Sequence, residues 1–338
     1  MTPLAGMLLT VVNQHRQRLS PFPASIAAVL RAFLDRGVAS QVVAGSPSYE
    51  TQYPGIVIAR SKDGIFTPST ISHLSSRTFI TRSEMAQSNP MLIQPAPPGF
   101  RRSPLVLIHD GGGSVFNYFL LKSLGRAVYG IYNPRTGDGE QWPGGITEMA
   151  REYCQMILRV VAEGEILIGG WSLGGMVALE AAHILALMPR CPIRVRGVVM
   201  IDTDFPHGPS TSEKKSAETR VANSKAAMGQ HVKPEIRQAV ERSMEQAAKL
   251  IDEWQPPIWT APIVPPRTVL IRGREKMEEN DVYREKRALG WENYESDIMA
   301  AVLDVDGTHY SMWEKQHIST VDLQLHRGCT LLEHSPMY

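Results

Sequence analysis

From residue 104 onward, short apolar runs bounded by turn residues alternate with longer stretches whose apolar positions recur every three or four residues. Runs at 105–108, 127–132, 165–168, 195–201, 268–271 and 300–305 predict strands, and the stretches at 147–161, 175–187 and 313–325 predict helices. Strands that stay apolar on both faces, separated by helices, predict a mostly parallel sheet covered on both sides, an α/β architecture. Residues 204–266 interrupt the alternation with helical signals and no strand. There Pro234 is a helix starter, and Ile236, Val240, Met244, Ala248 and Ile251 form an apolar stripe at helical spacing. An insertion of this length between two core strands predicts a helical lid over a site, with Met244 and Ile251 toward the substrate. A helical decoration packed elsewhere is the plainer alternative.

The first hundred residues lack that rhythm. They are rich in Ser, Pro and Gly, with one amphipathic patch (Ile26, Val29, Leu30, Phe33 and Leu34) and one strand-like run at 55–59. The proline-rich stretch at 89–99 reads as a lead-in. The chain therefore divides into an extension over 1–100, to which the pattern assigns no role, and a domain over 101–338 containing the lid.

Composition narrows the classes. With 338 residues there is room for one large α/β domain and an appendage. Lys and Arg number 35 against 34 Asp and Glu, a net charge of +1 with no basic stripe, which argues against a nucleic-acid partner. Cys154, Cys191 and Cys329 are far apart and form no C-x-x-C pair, so neither a metal nor a redox cofactor is expected, and a reducing, cytoplasmic setting fits. The apolar run at 4–12 is short, has no Lys or Arg before it, and reads as a packing segment rather than a signal peptide. No stretch approaches the roughly eighteen apolar residues that a membrane span needs.

The densest chemical signal is the segment at 165–182, where an apolar strand passes through Gly170-x-Ser172-x-Gly174 into a helix of small residues. A serine hydroxyl attacks carbonyls only when exposed, pre-aimed and beside a base, and a sharp strand-to-helix turn flanked by glycines supplies that exposure. The same residues echo the Gly-Gly-x-Ser-Leu site of carrier proteins. A carrier serine, however, follows a loop rather than a buried strand, so the nucleophile elbow is preferred. His309 is the candidate base, because it lies just past a strand end in a Gly-containing turn, where catalytic side chains of parallel sheets collect. His183, His317 and His326 fall in or near helices, and His207 and His231 fall in the lid. Two acids end strands, Asp202 and Glu275; Asp202 directly terminates its apolar run and is preferred, with Glu275 kept as the alternative. For an oxyanion hole, Leu173 offers the N–H after the nucleophile and Gly111, in the run His109-Asp-Gly-Gly-Gly-Ser114, the second. That run lacks the spacing of a phosphate or dinucleotide loop.

Taken jointly, His109 to Ser114, Tyr129 to Pro134, Gly170 to Met176, Ile201-Asp202 and Gly307 to Tyr310 resemble the thioesterase domains of polyketide synthases and non-ribosomal peptide synthetases, within the α/β-hydrolases. The resemblance covers about 104–325 and implies an acid after the strand following the elbow helix, which is Asp202. It further implies Ser172 as the acyl acceptor, His309 as base and then acid, and a polyketide-like or peptidyl acyl chain held as a thioester. The expected partner is the phosphopantetheine arm of a carrier protein, or CoA, with the enzyme free-standing and serving secondary metabolism. A carboxylesterase or acyltransferase acting on oxygen esters, and a non-catalytic protein that keeps the hydrolase fold, are the other two readings.

Overall fold

The computed structural model describes residues 88–99, 101–135, 141–206, 222, 234–277 and 281–335. The amphipathic patch at 26–34, the run at 55–59, His207, His231 and most of the lid between 207 and 233 lie outside them. Seven strands, β1 (Met91–Gln94), β2 (Leu105–Ile108), β3 (Val128–Ile131), β4 (Gly164–Trp171), β5 (Ile193–Ile201), β6 (Thr268–Gly273) and β7 (Met299–Val305), form one sheet. Its order is β1-β3-β2-β4-β5-β6-β7. Strand β1 runs antiparallel to β3, and every other pairing is parallel. Among the described residues the α-helices are α1 (Gly145–Val160), α2 (Leu173–Leu187), α3 (Pro234–Glu253), the single turn α4 (Val282–Glu285) and α5 (Ile318–His334).

The two faces of the sheet follow the two-residue period of its strands. Val106 and Ile108 pack with α1, α2 and α3, whereas Leu105 and Leu107 pack with Val321, Leu325 and Leu332 of α5. Because both faces are covered, β2 is apolar and buried at all four positions, and β4 and β5 carry charges (Glu165, Arg194 and Arg196) only toward their starts. Helix α2 lies between the sheet and α1 and is buried through most of its length, so its one charged side chain, Glu180, must be paired. It accepts hydrogen bonds from Thr147 Oγ1 and from Trp254 Nε1, both at 3.0 Å. Trp254 directly follows α3, so this bond ties the end of the inserted helix to the core. Trp254→Phe leaves one carboxylate oxygen of Glu180 without its donor. It should cost about 1–3 kcal/mol in a denaturant titration; an unchanged midpoint and slope would refute the tie.

Two boundaries differ from the sequence pattern. The lead-in at 89–99 contains β1, a four-residue edge strand too short and too hemmed by prolines to show a period. The last helix begins at Ile318, not 313, because Ser311–Trp313 forms a tight turn that buries Trp313 against Trp171 and Tyr118, with ring centroids 5.5 and 5.8 Å apart. It also runs on to His334, through Gly328. A Cβ there would lie 3.0 Å from Val269, so glycine lets α5 sit close on the sheet.

Candidate active site

Ser172 stands between β4 and α2 with φ 56° and ψ −120°, a conformation that costs a non-glycine residue on the order of 1–3 kcal/mol and is held only by its surroundings. Those surroundings are tight. A Cβ on Gly170 would lie 2.5 Å from the Gly174 backbone, and one on Gly174 would lie 2.5 Å from the carbonyl oxygens of Ile108 and His109. Close approach explains both glycines of the motif. Ser172 N–H donates to Ile201 O at 2.9 Å, and Thr203 Oγ1 donates to Ser172 O at 2.9 Å, tying the turn to the end of β5. Beneath it, the Tyr118 hydroxyl donates to Ile108 O at 2.7 Å and accepts from Trp171 N–H at 2.9 Å, clamping the ends of β2 and β4 together.

The glycine loop after β2 is equally braced. His109 is buried with Nδ1 2.6 Å from Asp110 O and Nε2 2.6 Å from the Tyr153 hydroxyl. A carbonyl only accepts, so the proton sits on Nδ1 and Tyr153 donates to Nε2. Burial lowers the His109 pKa to about 4, leaving it neutral and fully engaged. Asp110 folds back to accept from Gly112 N–H at 3.1 Å; burial pushes its pKa up to about 6, against the pull of Ser114 N–H and the charge of His309. A Cβ on Gly111 would meet Met244 Sδ at 3.0 Å and Ala247 Cβ at 3.1 Å, so α3 rests directly on this loop.

The sheet order sets β5, β6 and β7 side by side, and their C-terminal ends supply the rest. Asp202 follows β5 with φ 48° and is fully buried. His309 Nδ1 donates to Asp202 Oδ2 at 2.7 Å, which holds the ring proton on Nδ1 and leaves Nε2 as its basic nitrogen. The imidazole packs against Trp171, with centroids 5.1 Å apart, and Tyr310 at 4.9 Å. Asp202 Oδ1 accepts from Gly273 N–H at 2.7 Å and from Arg284 Nη1 at 2.5 Å, and Arg284 Nη2 donates to Oδ2. Burial alone would raise the Asp202 pKa, but the Arg284 charge and these hydrogen bonds outweigh it and hold the carboxyl well below its usual range. Glu275, the alternative acid, is exposed, and its N–H bonds Gly307 O at 3.1 Å.

Ser172, Asp202, His309 and Gly111 line one cleft of about 580 Å³, counted to its open mouth. Its apolar wall is Met176, Met244, Ala247, Ala248, Ile251 and Met277. No cysteine lines the cleft, and burial pushes the thiols of Cys154 and Cys329 up to about 12. Among the described residues no helix is long and apolar enough to cross a membrane. Sequence reasoning missed four contributors: Tyr118, Tyr153, Arg284 and the structural role of His109. Only His109, adjoining the glycine run, carried a local hint.

A mostly parallel sheet with a serine elbow between its fourth strand and the next helix defines an α/β-hydrolase. The Thioesterase domain model matches residues 103–325. The chain is 38% identical over 264 residues to Thioesterase frbE of Dothideomycetidae sp. (strain 11243), covering 74% of this chain and 98% of that one. It is 37% identical to Thioesterase AMT4 of Alternaria alternata, covering 72% and 93%. Among solved structures, the NocB thioesterase domain from the nocardicin cluster superposes with a TM-score of 0.53 at 22% identity, covering 69% of this chain and 96% of that one. The chain belongs to the thioesterase domain family.

Proposed function

We propose that the protein is a serine thioesterase that hydrolyses or transfers a polyketide-like or peptidyl acyl chain, delivered as a thioester on the phosphopantetheine arm of a carrier protein or on CoA. The observation that carries this is the 2.7 Å bond from His309 to the buried Asp202 carboxylate, in the cleft that Ser172 also lines. Ser172 Oγ attacks the thioester carbonyl carbon while its proton passes to Nε2 of His309. The N–H groups of Leu173 and Gly111 receive the charge that develops on the carbonyl oxygen. The C–S bond then breaks and the thiol leaves with the proton from His309. Water, or a hydroxyl or amine within the chain, gives a proton to His309 and attacks the acyl-serine ester, releasing the acid or a ring.

Membership of the thioesterase domain family, and relatives that are themselves thioesterases, support a sulfur ester over an oxygen ester. Secondary metabolism is the setting this family suggests. Presenting an acyl-pantetheine and the matching oxygen ester side by side tests the leaving atom. Faster release from sulfur is expected, and preference for oxygen would overturn the assignment. In this proposal α3 is a lid and its Met244 and Ile251 contact the acyl chain. Met244→Ala and Ile251→Ala should each change the decanoyl-to-acetyl ratio of kcat/KM roughly tenfold, with acetyl turnover nearly unchanged. Equal losses on both substrates would remove the lid residues from chain selection.

A further inference from the structure

Arg284 is a guanidinium with only 1% of its side chain exposed, spent on the carboxylate that holds His309. Its fork places one N–H on each oxygen of Asp202, and Nη1 also reaches Gly273 O at 2.8 Å. Each Asp202 oxygen thus accepts two bonds, Oδ1 from Gly273 and Arg284 and Oδ2 from Arg284 and His309. A bidentate fork fixes the plane of a carboxylate in a way that a single donor does not. Arg284 itself is held: Arg272 of β6 donates through Nη2 to Arg284 O at 3.1 Å and through Nη1 to Lys286 O at 3.0 Å, clamping the α4 turn to the C-terminal end of β6. Resting on the serine mechanism above, we propose that Arg284 is a positioning residue for the reaction, aiming Oδ2 of Asp202 at His309 and setting a fixed cation beside the Asp202–His309 pair.

The sign follows from the charges around the pair. A proton added to the Asp202–His309 pair brings a positive charge close to the Arg284 cation, which opposes it. Asp204 and Asp281 also act on Arg284, Arg272 acts on Asp202 from β6 while paired with Asp304, and Asp110 faces His309 from the glycine loop. Among these, Arg284 alone donates to the Asp202 carboxylate. Removing its charge raises the proton affinity of the pair, whichever member takes the proton.

The test is the pH dependence of kcat/KM on an acyl-pantetheine for the full chain and two variants. In Arg284→Gln the acid limb should move up by about one pH unit. Arg284→Lys keeps the charge without the fork, so its limb should stay in place while the plateau falls about ten- to hundredfold. Arg126→Gln is the control for a merely structural pair, because Arg126, just before β3, makes a comparable, partly buried fork to Glu333 of α5; it should lower thermal stability and leave the limb unmoved. A folded Arg284→Gln with a wild-type limb overturns the proposal. If that variant does not fold, an Arg284→Lys plateau equal to wild type overturns it instead, and a lowered plateau supports it. Acyl mass on Ser172 separates the two levels. If Ser172 is never acylated the serine mechanism fails, and if it is acylated while the Arg284 variants match wild type only the arginine proposal fails.

Discussion

Ser172→Ala is expected to lower turnover of an acyl thioester by on the order of 10⁴-fold or more and to remove all acyl mass from the protein. The size follows from the role proposed for the serine: without Oγ no acyl-enzyme forms, and only the oxyanion donors and the bound geometry still assist attack by water. Alanine keeps the same Cβ at the same φ of 56°, so the strain of the turn persists and the melting temperature should change by only a few degrees. Intact-mass measurement after mixing with an acyl-pantetheine, beside a steady-state assay, checks both halves. An alanine variant that turns over at the wild-type rate would exclude a serine nucleophile at the elbow.

Asp202→Asn should be nearly as damaging to catalysis, about 10⁴-fold in kcat, and far more damaging to stability. Its new amide group must oppose an N–H of Arg284, of Gly273 or of His309, all of which donate to this carboxylate. Facing His309, the amide forces the proton onto Nε2 and removes the basic nitrogen. Whichever way it turns, Arg284 loses the charge that its fork grips and keeps Asp281, 3.5 Å from Nε, as a close counter-charge, so the loss should fall at the lower end of the about 3–5 kcal/mol typical of a broken buried pair. A double substitution with Arg284→Gln should therefore recover part of the stability and none of the activity; additive losses would mean that the two residues are not coupled. Because Asp202 titrates well below its unfolded value, the stability it contributes is present above pH of about 4 and is lost as pH falls through its folded pKa. The stability deficit of Asp202→Asn should accordingly shrink in strong acid. Glu275→Gln, on an exposed side chain, should leave rate and stability within about 0.5 kcal/mol of wild type.

The six parallel strands could be read from the sequence because each contains a short apolar run; in β2 to β6 most of that run is buried, and in β7 it is largely half-buried. The edge strand β1 could not, since four residues hemmed by prolines leave too little pattern to see. Helix α5 was clipped at Leu325, because the glycine that permits its close packing on Val269 carries no periodic signal of its own. The elbow was legible as a motif. Its clamp was not: Tyr118 lies 53 residues from Trp171, and Tyr153 lies 44 from His109. A tyrosine in a helix or turn looks the same whether it packs or braces a strand end.

The sequence alone determined the strand-and-helix alternation, the serine at a glycine-flanked turn and a histidine beyond the last strand, because each depends on backbone sterics and burial within a few neighbouring residues. Tertiary structure decided which carboxylate meets that histidine and what meets the carboxylate. Asp202, Arg284 and His309 are brought together only when β5, β6 and β7 lie side by side, and Arg284 is 82 residues from the acid it grips. In the bare chain Arg284 is an ordinary surface charge. It becomes part of the site because a carboxylate sealed from water needs a cation, and the fold places one there.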